Sequence, residues 1–297
     1  MDLKKNQNLL PYNFLGLKEN CNFEESKVVI LPVPFERTVS FGTGTSKGPQ
    51  SIIMASRSLE LYDEELGCEP CEVGIHTLDE TEYDVDPEQM VNTLSTMYSE
   101  LIDKDKFVIT LGGEHSITNG PIKALHDKET DFSVLSIDAH WDLRDNYGGT
   151  KYSHACVMRR TAELGLNIVQ AGIRSLSTEE AEFLKHNKNV TVNYAKDMAV
   201  SNIERTIGEI LSGLKQKVYI TVDLDGFDPS VMPSTGTPEP GGLKWYEVMS
   251  ILQSVFNMKD VIGMDVVELA PITGFVHPDV LAAKLIYKSI GFKYYSK

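Results

Sequence analysis

Phe132-Ser133-Val134-Leu135-Ser136-Ile137-Asp138-Ala139-His140-Trp141-Asp142 joins a short apolar run to three metal-capable side chains at alternate positions. A run of this length and composition reads as a strand buried on both faces, the kind that builds parallel sheets. Along a strand, side chains at i, i+2 and i+4 point to one side, so Asp138, His140 and Asp142 are expected to converge. The pattern recurs at Thr221-Val222-Asp223-Leu224-Asp225, and a third apolar run, 107–111, leads into Gly112-Gly113-Glu114-His115-Ser116. Five ligand-type side chains in this register, joined by His115, suggest a site for two metal ions. A lone Asp after a strand is usually a turn former or a helix N-cap, but turn chemistry does not call for such repetition. Carboxylates crowded into one pocket drive each other neutral unless cations compensate them.

Working outward, similar apolar runs lie at 27–34, 167–173, 190–193, 218–222 and 261–267. Helical patterns fall between the runs, at about 48–66, 87–104, 117–127, 178–187, 203–215, 245–256 and 278–287. This alternation predicts an α/β fold with a largely parallel central sheet. With 297 residues and no compositional break, the whole chain, 1–297, reads as a single domain. Two long loops, 36–48 and 142–153, are rich in Gly, Ser, Thr and Asn or in charge, and loops of that length inside a compact domain are usually functional. In open α/β sheets ligands bind beyond the carboxyl ends of the strands, where the six candidate ligands are expected to lie.

The charge balance narrows the partners. Lys and Arg total 28 against 43 Asp and Glu, a net charge of -15, which argues against nucleic acid and anionic membrane and favours small cations. No apolar run approaches a membrane span. Residues 1–6 lead into no apolar h-region, so no signal peptide is expected and a cytoplasmic location is. Cys68-Glu-Pro-Cys71 has redox spacing but sits in a Gly/Pro/Glu-rich connection. With no second pair for a zinc ribbon, plain reduced thiols are expected.

Oxygen-rich ligation with a minority of imidazole suits manganese or another hard dication better than zinc. If Asp138 and Asp223 bridge, one ion takes His115 and Asp142 and the other His140 and Asp225. Four carboxylates then offset two dications, and a bridging hydroxide makes the site anionic and suited to a cationic substrate. Metal coordination lowers the pKa of water from about 15.7 toward about 7, which matters most for a poor electrophile such as a guanidinium carbon. Asp142 and His154, the latter on the second loop, are the candidates for delivering a proton to the leaving amine.

At these residues the sequence resembles the ureohydrolase family of arginases and agmatinases over nearly its whole length. The three segments Gly112–Ser116, Ser136–Asp142 and Thr221–Pro229 look like that family's metal-binding motifs. The resemblance implies a three-layer α/β/α arginase-type fold, a two-manganese site with the bridging pattern given above, and hydrolysis of a guanidino compound to urea and an amine. Glu268, in Met264-Asp265-Val266-Val267-Glu268, matches the family's acidic residue that binds the guanidinium. The resemblance also implies a homo-oligomer, trimer or hexamer. Asp142-Leu143-Arg144-Asp145-Asn146-Tyr147 followed by Tyr152-Ser153-His154-Ala155 looks like agmatinases rather than arginases. Lys47 stands where relatives often carry Arg, and Ala155-Cys156 replaces a Gly-containing sequence; neither change touches a ligand.

The expected reaction is therefore manganese-dependent hydrolysis of agmatine to urea and putrescine. Guanidinobutyrate, guanidinopropionate, formiminoglutamate or arginine are the rival substrates. A carboxylate tail would want Arg144, Lys151, Arg159 or Arg160 as partner. A non-catalytic metal-bound scaffold and a one-zinc deacetylase on a related fold are the readings from other classes. The presence of all six ligands together with His154 and Glu268 weighs against the first, and the second His and the Asp223/Asp225 pair against the second.

Overall fold

A computed structural model describes residues 11–19, 21–81 and 84–296 of the chain; residues 1–6, on which the signal-peptide expectation rests, lie outside them. Eight strands form one sheet: β1 (Val28–Val33), β2 (Ile75–Thr77), β3 (Phe107–Gly112), β4 (Phe132–Ile137), β5 (Asn167–Ile173), β6 (Val190–Tyr194), β7 (Lys217–Asp223) and β8 (Asp260–Val267). Their spatial order is β2-β1-β3-β8-β7-β4-β5-β6, and every adjacent pair is parallel. Each expected run has become a strand. β2 is the addition, a three-residue edge strand too short to show a pattern. It is held by β1, Val28 facing Ile75.

The helices are α1 (Gly48–Ser56), α2 (Pro87–Ile102), α3 (Asn119–Lys128), α4 (Val157–Glu163), α5 (Thr178–His186), α6 (Ala195–Val200), α7 (Ile203–Gly213), α8 (Trp245–Met258) and α9 (His277–Tyr295). One apolar core, built from α1, α7, α8 and α9, covers one face of the sheet. A second, built mainly from α2, α3 and α4 with α5 packed at its margin, covers the other. The three-layer α/β/α arrangement follows from the pattern: strands such as β3 and β4 are buried along their whole length and need a helical layer on each side.

The first helix is shorter than expected. It stops at Ser56, whose hydroxyl donates back to the Ile53 carbonyl at 2.7 Å and accepts the Leu15 amide at 2.8 Å. The chain then turns toward Asp63, which is fully buried and pairs with Lys288 of α9 at 3.1 Å. The apolar residues Leu59, Leu61 and Leu66 pack on the core from these turns, so burial rather than helical continuation satisfies them. The last helix runs further than expected, to Tyr295, and α4 and α6 are too short to have shown a period.

At the carboxyl edge two loops meet backbone to backbone. The Gly42 amide donates to the Gly236 carbonyl at 2.9 Å, and a Cβ on Gly42 would lie 2.8 Å from that oxygen. No side chain fits there, so the pairing of these two loops depends on glycine.

Candidate metal centre and active site

Each candidate ligand sits at or just beyond a strand end, but the chain geometry differs from a continuing strand. β4 ends at Ile137, and Asp142 has a left-handed backbone, φ 52°. β7 ends at Asp223, after which Leu224–Gly226 forms a 3-10 turn. The expectation of extended, period-2 segments is therefore corrected: the side chains converge because the backbone bends and their own carboxylates brace the bends. Asp138 Oδ1 accepts the His140 amide at 2.6 Å, Asp223 Oδ1 accepts the Asp225 amide at 2.9 Å, and Asp225 Oδ1 accepts the Ala139 amide at 3.1 Å. Each carboxylate is thus oriented by one oxygen while the other faces the cluster.

Two groups result. His115 Nδ1 lies 3.3 Å from Asp138 Oδ2, 3.1 Å from Asp142 Oδ2 and 3.2 Å from Asp223 Oδ2. His140 Nδ1 lies 2.9 Å from Asp225 Oδ2 and 3.7 Å from Asp138 Oδ1. Asp138 stands between them with one oxygen toward each histidine. The triads His115/Asp138/Asp142 and Asp138/His140/Asp225 each bring their ligand atoms close enough to hold one ion.

The protonation chemistry fits a cation in each group. Thr221 donates its hydroxyl hydrogen to Asp265 at 2.6 Å, so at 2.9 Å it must accept from His115 Nε2. That places the neutral imidazole's proton on Nε2 and leaves Nδ1 as a lone pair aimed at three carboxylates. Among the described residues His115 Nδ1 and Asp138 Oδ2 are buried without a hydrogen-bond partner. A ligating histidine is commonly oriented in this way by a hydrogen bond at its other nitrogen.

Electrostatic strain runs through the cluster. Burial, and then the charge of Asp142, pushes the Asp138 carboxyl up to about 7. Burial and Asp225 push Asp223 well above the usual carboxylate range. Burial opposes a charged His140, yet the Asp225 carboxylate outweighs it and lifts the imidazole to about 11. Asp225, resisting burial through His140, is held at about 2. Carboxylates crowded in this way are ones whose charge bound cations would offset.

Around the cluster lies a cleft lined by Ser40, Tyr147, His154, Thr237 and Glu268 together with the candidate ligands His140, Asp142, Asp223 and Asp225. Glu268 follows the last residue of β8, with φ 66°, and its Oε1 accepts the His115 amide at 2.7 Å. Burial, and then Glu114, raises it well above the usual range. His154 begins the 3-10 turn His154–Cys156 and packs edge-on against Tyr147, with ring centres 5.7 Å apart. All eight residues singled out in the sequence therefore meet in one place.

Sequence reasoning missed Thr237, whose hydroxyl donates to Asp225 Oδ2 at 3.0 Å, and Glu180, a buried wall residue tied to the Leu143 amide at 3.0 Å. Thr237 lies in a Pro/Gly/Thr-rich segment, 233–240, whose composition marks a loop. Glu180 completes the Ser177 capping box, a structural signal that hides its place in the cleft wall. Of the four basic residues considered for a carboxylate tail, Arg144 lines the cleft, stacked over Tyr147. Arg159 pairs with Glu163, and Arg160 and Lys151 pair with Asp145. The four cysteines are free thiols; Cys71 lies in a 3-10 turn, Pro70–Val73, and burial raises it and Cys68 above the ordinary thiol range.

The arginase-family sequence profile matches residues 26–291. An N(1)-aminopropylagmatine ureohydrolase from Synechocystis is 40% identical over 290 residues, covering 95% of this chain and 94% of that protein. The enzyme of the same description from Thermus thermophilus is 39% identical and covers 93% of each chain. Among solved structures, the agmatine ureohydrolase of Thermoplasma volcanium superposes with a TM-score of 0.86 at 34% identity, covering 95% of this chain and 94% of that one.

Proposed function

Since the chain belongs to the arginase family, we propose that its two side-chain triads hold two manganese ions and that it hydrolyses N(1)-aminopropylagmatine to urea and spermidine, with agmatine as a second, shorter substrate. At the coarser level it is a ureohydrolase of the agmatinase type, acting on amidino C–N bonds. The observation that carries the site assignment is Asp138, buried between two histidines with an oxygen toward each. His115, Asp142 and Asp223 would complete one ion's ligands, and His140, Asp225 and Asp223 the other's. The donor set is carboxylate-rich with two imidazoles and no thiolate, as manganese prefers. Bound there, the dications would acidify water toward neutral pH and supply the nucleophile.

The chain's own residues account for the remaining steps. Glu268, at the floor of the cleft, pairs with the guanidinium, and its bond to the His115 amide fixes where that charge sits. Asp142 faces the reacting carbon from the metal side, while His154 stands on the loop that walls the cleft and passes a proton to the departing amine. Glu180, Thr237 and Ser40 add anionic or neutral groups to the cleft lining, which suits a cationic polyamine tail. The description of the two relatives favours the longer, aminopropyl-bearing tail. Arg144 favours a second reading, a guanidino acid such as guanidinobutyrate whose carboxylate it would meet.

Urea release from N(1)-aminopropylagmatine, agmatine, guanidinobutyrate and arginine, with manganese-loaded and chelated protein, separates these. Metal-dependent urea with kcat/KM highest for the aminopropyl substrate is expected. A preference for guanidinobutyrate would replace the polyamine reading with the Arg144 one. Release that survives chelation would sink the two-metal assignment. Metal analysis on the same samples is expected to give close to two manganese per chain, and sizing of the loaded protein a homo-oligomer.

A further inference from the structure

The loop residue Thr38 touches no candidate ligand among the contacts described, yet it holds three groups at once. Its amide donates to Glu114 Oε2 at 2.6 Å, and its hydroxyl lies 2.6 Å from Glu114 Oε1. The same hydroxyl oxygen accepts the His154 amide at 3.0 Å and lies 3.2 Å from His154 Nδ1. Glu114 is fully buried and accepts the Arg37 amide and the Ser116 hydroxyl as well. Four donors converge on one carboxylate, which is therefore an acceptor throughout.

A threonine hydroxyl has a single hydrogen. The Glu114 carboxylate takes it, since a charge-assisted bond at 2.6 Å outranks a neutral one at 3.2 Å. Thr38 then offers His154 only lone pairs. Ser153 Oγ also approaches Nδ1, at 3.3 Å. Were Ser153 to donate to a bare Nδ1, that nitrogen's lone pair would face the lone pairs of Thr38 across 3.2 Å. A proton on Nδ1 removes the repulsion and serves both oxygens.

We propose that Thr38, oriented by Glu114, is a positioning residue that keeps neutral His154 in its Nδ1-protonated form, leaving Nε2 free to take up and return a proton in the cleft. The logic parallels that of a buried carboxylate that fixes a catalytic imidazole, here with a hydroxyl interposed. The proton balance is simple. Nε2 accepts one proton as the nucleophile forms and gives it to the leaving amine nitrogen as the C–N bond breaks, while the Nδ1 proton stays on its bond to Thr38 throughout. This rests on the proton-transfer role proposed for His154.

The test combines ¹⁵N spectra of histidine-labelled, metal-free protein, in the solid state, with urea release by the manganese-loaded enzyme. Wild-type His154, assigned by its loss in His154→Asn, is expected to show the Nδ1–H form. Thr38→Val removes the hydroxyl at nearly constant volume. It is expected to lose that signature and to lower kcat roughly ten- to hundredfold, with little change in KM or manganese content, at or below the lower end of what a full general acid–base residue contributes, as fits a positioning role. Thr38→Ser should restore both. An Nε2–H signature in the wild type, or normal kcat in Thr38→Val, overturns the proposal. So does an equal tautomer change in Ser153→Ala with none in Thr38→Val, since Ser153 would then set the form. Full urea release by His154→Asn would instead remove the role on which the inference rests, whatever the spectra show.

Discussion

Glu268 and His115, 153 positions apart in sequence, are joined by a 2.7 Å hydrogen bond from the His115 amide to the Glu268 carboxylate. The acid proposed to meet the substrate thus also steadies the backbone beneath a proposed ligand. Glu268→Gln keeps an acceptor for the amide but loses the charge, so manganese content should stay near normal while kcat/KM falls at least a hundredfold. Glu268→Ala should lose manganese affinity as well. Equal metal content in both variants, read by elemental analysis after dialysis, would show that the amide bond contributes nothing to the site.

Among the described residues, Asp138 is the carboxylate within ion-pair distance of both histidines. Asp138→Asn, which removes a charge without changing shape, is expected to abolish urea release and lower occupancy of both ions together. Loss of one ion with the other retained would show that Asp138 does not bridge.

Thr221 sets the tautomer of His115 through Asp265. Thr221→Val should weaken manganese binding about 10- to 100-fold, as removal of an orienting partner commonly does, with turnover recovered at high manganese. An unchanged manganese titration would mean that the imidazole is oriented by packing alone.

Far from the cleft, Lys288 of α9 is 2% exposed and lies 3.1 Å from buried Asp63 and 2.7 Å from Glu65. Lys288→Met strands the Asp63 charge and should cost about 3 kcal/mol, seen as a lowered denaturation midpoint. Pairing it with Asp63→Asn is expected to recover much of the loss.

Asp228 accepts the Ser230 hydroxyl and the Ser230, Gly241 and Gly242 amides, and bonds to Ser230 foremost hold its carboxyl at about 2, against an ordinary 3.8. A carboxyl depressed in the folded state adds stability above its unfolded value, and that stability disappears as pH falls through the folded one. The Tm gap between wild type and Asp228→Asn, both chelated, should be full above about pH 5 and close as pH approaches about 2. A gap that widens on acidification would contradict the assignment.

The alternation of apolar runs with helical patterns showed the sheet and its layers, because strands such as β4 are buried on both faces and carry no polar interruption. The candidate ligand set was visible for a related reason: Asp138, His140, Asp142, Asp223 and Asp225 stand in a regular spacing that turns do not require. What that spacing could not show is the backbone that realises it, since at the left-handed Asp142 the carbonyl accepts the Arg159 amide and the next amide donates to Glu180. The Thr38 contacts were equally hidden. Nothing about a threonine in a polar loop signals that residues 76 and 116 positions away will close on it. Helix ends misread at Ser56 and Tyr295 were decided by what the termini pack against rather than by local preference.

The position of β8 has a consequence for assembly. It comes after β7 in the chain, yet it lies between β3 and β7, so it alone joins β2-β1-β3 to β7-β4-β5-β6 in the sheet of the described residues. His115 follows a strand of the first group, Asp138, His140, Asp142, Asp223 and Asp225 lie at or after strands of the second, and Glu268 directly follows the strand between them. The cluster therefore straddles a seam, and a nascent or truncated chain without its final strand holds two incomplete halves of the centre. If the proposed centre holds cations, their capture is expected to need the closed sheet, and ions that bind the closed form alone would stabilise both halves together.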